Sequence, residues 1–360
     1  MNTPLNVVFD METHDPDDFL TLLLLLGHPQ VNLKAVTITP GSPFQVALVR
    51  RALSWFDADI PVGAHNLQRY KGCVSSWHYH AYGLTGPSLD ARPGGEVLFE
   101  ACDLDTTLVT GAPLKNLGAA MAIPGFELGR WVAQGGFAGE GVIPRERQLA
   151  KFKGMTTCPT FNLNGDPRAA IRALKHPGIK ARRFVSKNVC HGVVYDQQMH
   201  LEIAKLKGRS HSLRLIWQGM ETYLSRKRKR RWTSPRDSGL DDNDTVMLID
   251  ADGNNQGHTT LLLAEAAATE AGMGLRRLKQ RGQVPVCRIG NPQTVEGKKL
   301  HDPLAACCAI DPQIGQWAEV DLYRDQRGHW GSRPSPGSDT WIITDYDHPR
   351  FMDVLTRSAR

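Results

Sequence analysis

The sequence is poor in the features that would mark an oxidised, secreted or membrane-embedded protein. Its 360 residues include seven cysteines, none paired as C-x-x-C and none spaced as a disulfide framework. They read as reduced thiols, and the expected location is cytoplasmic. The opening MNTPLNVVFD has no basic stretch leading into an apolar one, so no signal peptide is expected. The longest greasy run, FLTLLLLLG, is far too short to span a bilayer and is better read as a buried helix. With 41% hydrophobic and 22% charged residues, the composition is that of an ordinary globular chain and excludes wholesale disorder. A chain of this length buries a large core.

Charge of one sign is also scarce, except in one place. Most of the formal net charge of +6 falls between Ser225 and Lys299, and the remainder is nearly balanced. Residues 225–296 open with SRKRKRRW and continue with the turn-rich TSPRDSGLDDND. They read as an insertion, either weakly ordered or a small appended unit. The basic run Arg226–Arg231 matches a nucleic-acid patch, but a solvated charge run is the simpler reading, so nucleic acid is not an expected partner. DADGNNQGHTT offers Asp250, Asp252 and Asn254 as the start of an EF-hand. It lacks the glycine and the closing glutamate that such a loop needs.

Outside that segment, strand and helix signals alternate. LNVVFD is a short apolar strand ending in acid. PDDFLTLLLLLGHP carries Pro and Asp at its start and Gly-His-Pro at its end, which are helix start and stop signals. VNLKAVTITPG is the next strand, PFQVALVRRALSWFDA an amphipathic helix, IPVGA another strand, and TTLVTGAPLKNLGAAMAI repeats the unit. Such alternation predicts an α/β fold, a mostly parallel, Rossmann-like open sheet flanked by helices. One domain is expected from 1–224 and 297–360 together.

What stands out is the acid at the end of the first strand. Asp10, Glu12, Asp15, Asp17 and Asp18 crowd one loop with His14. Ligands of parallel α/β sheets lie beyond the carboxyl ends of the strands. Crowded carboxylates repel one another, and a bound hard cation removes that cost. Capping of the following helix explains some of the same residues.

Further motifs bear on this choice. TGAPLKN (Thr110–Asn116), FNLNGDPRAA (Phe161–Ala170), NVCH (Asn188–His191) and HDPLAA (His301–Ala306) follow DMETHDPDD in order. Together they resemble the inosine-uridine preferring nucleoside hydrolase family, over about 5–224 and 297–355. The resemblance implies a nucleoside hydrolase-like fold and Ca²⁺-dependent hydrolysis of the N-glycosidic bond of a ribonucleoside or related N-riboside. It also implies a role in purine or pyrimidine salvage and a homo-oligomer, with no membrane partner. Asp18 and Asp302 are implied as metal ligands, with the Thr110 carbonyl and Asp10 beside them. The third acidic ligand is Glu12 or Asp15, with Glu12 preferred. Asp17 is implied as the general base, His301 as the group that helps the base depart, and Asn162 as a ribose contact. WHYHAYGLTG stands where the family has a flap, so His80 and Tyr82 are candidates to cover the base, with plain packing the competing reading. The basic loop Arg145–Gly154 reads as a solvated charged loop or as a phosphate contact.

The sequence departs from the family's pattern at several sugar-binding places. Ser42 and Thr160 stand where the family has an asparagine and a glutamate, and the acidic loop is one residue longer and lacks its glycine. A catalytically inactive protein that keeps the fold and the metal is therefore the alternative function.

Overall fold

The computed structural model describes residues 3–69, 73–229, 234–251, 254–278, 283–290 and 297–357. It divides into two compact units. One is drawn from Met1–Gln148, Gly154–Tyr223 and Gly297–Arg360, the other from Leu149–Lys153 and Leu224–Glu296.

The first unit begins with β1 (Leu5–Met11), α1 (Pro16–Gly27), β2 (Val31–Ile38), α2 (Pro43–Ser54), β3 (Val62–Ala64) and α3 (Ser76–Tyr82). Next come β4 (Arg92–Pro93), α4 (Gly94–Ala101), β5 (Thr106–Thr110), α5 (Lys115–Ala120) and β6 (Leu128–Gln134). They are followed by β7 (Thr157–Cys158), α6 (Phe161–Gly165), α7 (Pro167–Lys175), β8 (Ile179–Val185) and α8 (Lys187–Cys190). Beyond these lie β9 (Val194–Tyr195), α9 (Gln197–Leu206) and α10 (His211–Lys229).

The second unit contains β10 (Thr245–Ile249), β11 (Asn255–Thr260), α11 (Leu261–Glu270), β12 (Gly274–Leu278) and β13 (Val286–Gly290). Its strands form one sheet in the order β11-β10-β13-β12. Val246, Leu261, Ala264, Ala268 and Cys287 form a core of its own. Asp250 accepts from the Asn254 amide and side chain at 2.8 and 3.1 Å. Asp252 of the EF-hand-like stretch lies outside the described residues. The basic run starts on the last turns of α10, and its later residues are outside them too.

The chain then returns to the first unit with β14 (Lys298–Lys299), α12 (His301–Ile310), β15 (Gly315–Arg324), β16 (Trp330–Pro334), β17 (Thr340–Tyr346) and α13 (His348–Thr356). The large sheet has 11 strands in the order β4-β3-β2-β1-β5-β6-β8-β17-β15-β16-β7. Neighbours run parallel from β4 across to β17. The pairs beyond β17 are antiparallel. That reversal follows from a tight turn between β15 and β16, where the Asp325 carboxylate accepts the amides of Arg327 and His329.

Local chemistry explains the elements that hold the site. Every residue of α1 is buried, and its apolar run packs against α12 rather than facing water on one side. Pro16 opens α1, with Asp17 and Asp18 in its first turn, where unpaired amides and the helix dipole favour acids. Ser42 forms a capping box with Gln45 at the start of α2. The serine that replaces the family's asparagine thus has a folding role.

α3 is packed down by its aromatic residues. Trp77 donates its indole N–H to the Gly219 carbonyl at 2.9 Å, and the Tyr82 hydroxyl donates to the Leu215 carbonyl at 3.0 Å. Phe19 and Trp55 pack on the Tyr82 ring at 5.2 and 5.4 Å between centroids. Tyr82, expected over a base, is held in this structure by packing contacts. His80, on the same helix, is exposed, with Nδ1 2.5 Å from the Ser76 carbonyl oxygen.

His78 lies between Phe19 and Trp77, and burial pushes its pKa down to about 4. An unfolded histidine titrates near 6.5. Between those values the unfolded chain binds more protons, so this contribution is complete above about pH 6.5 and is lost as pH falls. Denaturation at pH 7 and pH 5 should show wild type losing stability relative to His78→Gln on acidification. An equal or opposite change would contradict a buried neutral imidazole.

Candidate functional site

The acids meet at the carboxyl ends of β1 and β5. Carboxylate oxygens of Asp17, Asp18 and Asp302 all lie within 4.8 Å of one another, and all three residues are buried. Asp17 and Asp18 come from the first turn of α1, and Asp302 from the first turn of α12. Gly111, next after β5, is what lets them meet. A Cβ there would stand 2.8 Å from the Asp302 carboxylate and 2.9 Å from Asp18 Oδ1. The Gly111 amide donates to the Asp10 carbonyl at 2.8 Å, which ties this floor to β1.

Two of the three carboxylates are strained electrostatically. Burial, and then the charges of Asp302, Glu12 and Asp17, hold the Asp18 carboxyl well above the ordinary range. Burial and Asp17 do the same to Asp302, with Lys298 opposing them. Asp302 Oδ1 is buried without a hydrogen-bond partner. A buried unpaired acceptor is costly, and a cation held between Asp18 and Asp302 would satisfy it and cancel the repulsion. The donor set is all oxygen, which suits a hard ion such as Ca²⁺ or Mg²⁺. These residues fit a metal.

Asp17 is occupied differently. Its Oδ2 accepts the backbone amides of His301 at 3.1 Å and Asp302 at 3.4 Å. It therefore caps α12 from outside, where the flanking residue Leu300 makes no side-chain cap. Its Oδ1 lies 3.1 Å from Lys298 Nζ, which also pairs with Asp15 at 2.9 Å. Burial would raise the Asp17 carboxyl, but Lys298, His301 and the Asp302 amide outweigh it and hold it below the ordinary range. Both carboxylate oxygens of the expected general base are thus engaged in this structure, where Asp17 clamps the starts of α1 and α12 together.

Glu12 and Asp15 separate in the structure. The Glu12 side chain is 12% exposed, and its backbone amide donates to Asp18 Oδ1 at 3.0 Å. Its charge acts on both Asp18 and Asp302. Asp15 is 49% exposed and paired with Lys298. Of the two alternatives, Glu12 is the more buried and the one whose backbone meets Asp18, although it is outside the three converging acids.

Asp10 stands outside the three converging acids, and its Oδ2 is buried with no hydrogen-bond partner. Its Oδ1 accepts from Thr37 at 2.7 Å and from Asn116 at 2.8 Å. Burial raises its pKa to about 7, with those two hydrogen bonds opposing. It supports β2 and α5 beneath the site. Thr110 ends β5 in register with Asp10, and its hydroxyl accepts from Trp131 at 3.0 Å.

On the other side, His301 Nδ1 lies 3.2 Å from Cys190 Sγ, and the sulfur is 3.5 Å from Gln134 Nε2. Asn162 donates its amide to the Gln134 side chain at 2.8 Å. The expected ribose contact is therefore joined to His301 through Gln134 and Cys190. Residues Arg145–Arg147 are exposed, and Arg147 lies 3.8 Å from Asp345.

The sequence reading missed Lys298, Gly111 and Cys190 as site residues. Cys190 lay within a motif already noted. Lys298 was hidden at the edge of a basic segment, with nothing local to mark its partners.

Fold and site define an α/β protein with a buried acidic centre at the carboxyl edge of a parallel sheet. The family model described as inosine-uridine preferring nucleoside hydrolase matches residues 7–353. The chain belongs to that family of N-ribosyl hydrolases. It is 27% identical over 235 residues to an uncharacterized protein of Aquifex aeolicus (strain VF5), covering 63% of this chain and 78% of that one. It is 30% identical over 173 residues to a pyrimidine-specific ribonucleoside hydrolase, RihA, of Shewanella sp. (strain MR-7), covering 43% and 51%. Among solved structures, a plant nucleoside hydrolase, PpNRh1, superposes with a TM-score of 0.61 at 17% identity, covering 99% of this chain and 100% of that one. An inosine-uridine preferring nucleoside hydrolase from Bacillus anthracis gives 0.57 at 18% identity, covering 98% of each. Those structures share the fold. No helix among the described residues is long and apolar enough to cross a membrane.

Removing the cation from a buried pair leaves its partners unpaired, a loss of about 3–5 kcal/mol. Lys298→Met should therefore lower unfolding free energy by about 3 kcal/mol or more, read by chemical denaturation. A loss below about 1 kcal/mol, as for a surface pair, would contradict the clamp.

Proposed function

We propose that the chain hydrolyses the N-glycosidic bond of a ribonucleoside or related N-riboside in a Ca²⁺-dependent reaction. The observation that carries this reading is the meeting of Asp18 and Asp302 over Gly111, with Asp302 Oδ1 buried and unpartnered. Asp18, Asp302, Glu12 and the Thr110 carbonyl are the groups that would hold the ion. Bound there, Ca²⁺ would supply charge that orients the ribose hydroxyls and the attacking water and makes that water more acidic.

The chain's own residues account for the other requirements. Breaking the bond develops oxocarbenium character in the sugar, which nearby carboxylates stabilise. Glu12 is the acid left to take the water's proton, since Asp17 is held by Lys298 and two amides. His301, whose backbone is pinned on Asp17, is the group assigned to assist the departing base. Asn162 holds the ribose from the Gln134 side.

Ribose release from a panel of nucleosides and nucleotides, with and without chelator, tests this function. Wild type should release ribose, and chelation should abolish release. Loss of a general base costs about 10²–10⁴-fold, so Glu12→Gln should lower kcat by that order with the fold intact. No release from any substrate would favour the binding-protein alternative, and full activity in Glu12→Gln would remove Glu12 from the chemistry.

Gly111→Ala separates the metal site from the chemistry. The added Cβ would push on Asp18 and Asp302. A ligand at 100 times its Kd stabilises a fold by about 2.7 kcal/mol. Wild type should show a Ca²⁺-dependent rise in melting temperature, and Gly111→Ala should lose it. An undiminished rise in the variant would place the ion elsewhere.

A further inference from the structure

A second cluster of metal-ligating side chains stands beside the acidic one and differs from it in chemistry. The Cys190 sulfur and ring nitrogens of His191 and His301 lie within 4.8 Å of one another. Cys190 is the last residue of α8 and is fully buried, whereas the two histidines are partly open. The rings of His191 and His301 are 4.7 Å apart between centroids.

We propose that Cys190, His191 and His301 form a binding site for a borderline transition-metal ion of the Zn²⁺ class, separate from the oxygen site of Asp18 and Asp302. Thiolate and imidazole ligands suit such ions and suit Ca²⁺ poorly, so the neighbouring clusters select different metals. Bond lengths of about 2.3 Å to sulfur and 2.0–2.1 Å to nitrogen put tetrahedral ligand atoms about 3.5 Å apart. The 3.2 Å between Cys190 Sγ and His301 Nδ1 needs only a small opening to reach that. Three protein ligands leave a fourth position for water or another molecule.

The surroundings already support this set. Ser186 caps α8 by accepting the Asn188 amide, and Asn188 donates to the Ala138 carbonyl at 3.0 Å, which fixes the element carrying Cys190 and leading into His191. The backbone of His301 is fixed by Asp17. The Gln134 amide approaches the sulfur at 3.5 Å, as outer groups do around metal-bound thiolates. The Asp17 carboxylate acts on the sulfur and Lys187 opposes it. Burial pushes the free thiol up to about 12, so metal entry must release its proton. Lys299 Nζ, 3.4 Å from His191 Nδ1, opposes the ion and has to swing away from that ring. Occupancy would engage His301, so this metal should restrain any reaction that uses that imidazole.

Binding does not depend on nucleoside hydrolysis and can be read by spectroscopy alone. The full chain, saturated with Ca²⁺, is titrated with Co²⁺ under reducing conditions. We expect intense visible bands of a tetrahedral ion, a near-ultraviolet thiolate-to-cobalt charge-transfer band, and loss of both when Zn²⁺ is added. Cys190→Ser should abolish the charge-transfer band, and Cys158→Ser should retain it. No such band in wild type, or a band that survives Cys190→Ser, would overturn the proposal. If Cys190→Ser fails to fold by circular dichroism, His191→Ala decides. Weaker Co²⁺ binding supports the site, and unchanged binding overturns it.

Discussion

The repulsion between buried carboxylates is the constraint on which the site depends. Asp18 and Asp302 come from opposite ends of the chain and are brought together without water around them. Like charges at that distance in a poorly solvating interior keep at least one proton bound or require a counter-charge. The fold supplies a counter-charge to only part of the cluster. Lys298 sets one positive charge between Asp17 and Asp15, while Asp302 Oδ1 is left with no partner. The cluster as a whole keeps an excess of acid, which a cation would offset.

The same arrangement explains how the far end of the chain is held in register with the beginning. Asp17 caps α12 through the amides of His301 and Asp302, and Lys298 secures that cap from β14. α1 is apolar on all sides and packs against α12, so burial brings the two helices together and the polar clamp sets their starting residues. Residues 224–296 intervene in sequence before Lys298 and form their own sheet and core. Closing the chain over so long a stretch costs only slightly more entropy than over a shorter one.

Much of the fold was legible because local signals and tertiary needs agree. The apolar run of β1, the Pro16 start of α1 and the Gly27-His28-Pro29 stop all correspond to observed boundaries. The acidic loop was legible because so much like charge at a strand end has few structural uses. Division of labour within it was not legible. Asp17 and Asp18 are adjacent, yet one turns to Lys298 and the α12 amides and the other to Asp302. Asp10 read as a ligand by its position, and in the structure its Oδ1 meets Thr37 and Asn116 while its Oδ2 has no partner. Tyr82 belongs to an aromatic-rich segment that suits a base-stacking flap and a packed core equally, and its partners decide for the core. In the second unit, β11 reads NQGHTT, which has no apolar alternation to announce a strand. Its pairing with β10 is a property of the assembled sheet.

The account's central claim is that buried, mutually repelling carboxylates await a hard cation. The direct measurement is Ca²⁺ binding by titration calorimetry across pH, in buffers of different ionisation enthalpy. Asp18 and Asp302 both have raised pKa values without the ion, so its binding must displace protons. The account requires Ca²⁺ to bind with proton release and with affinity that falls as pH is lowered. Absence of binding, or binding that neither releases protons nor changes with pH, would contradict it.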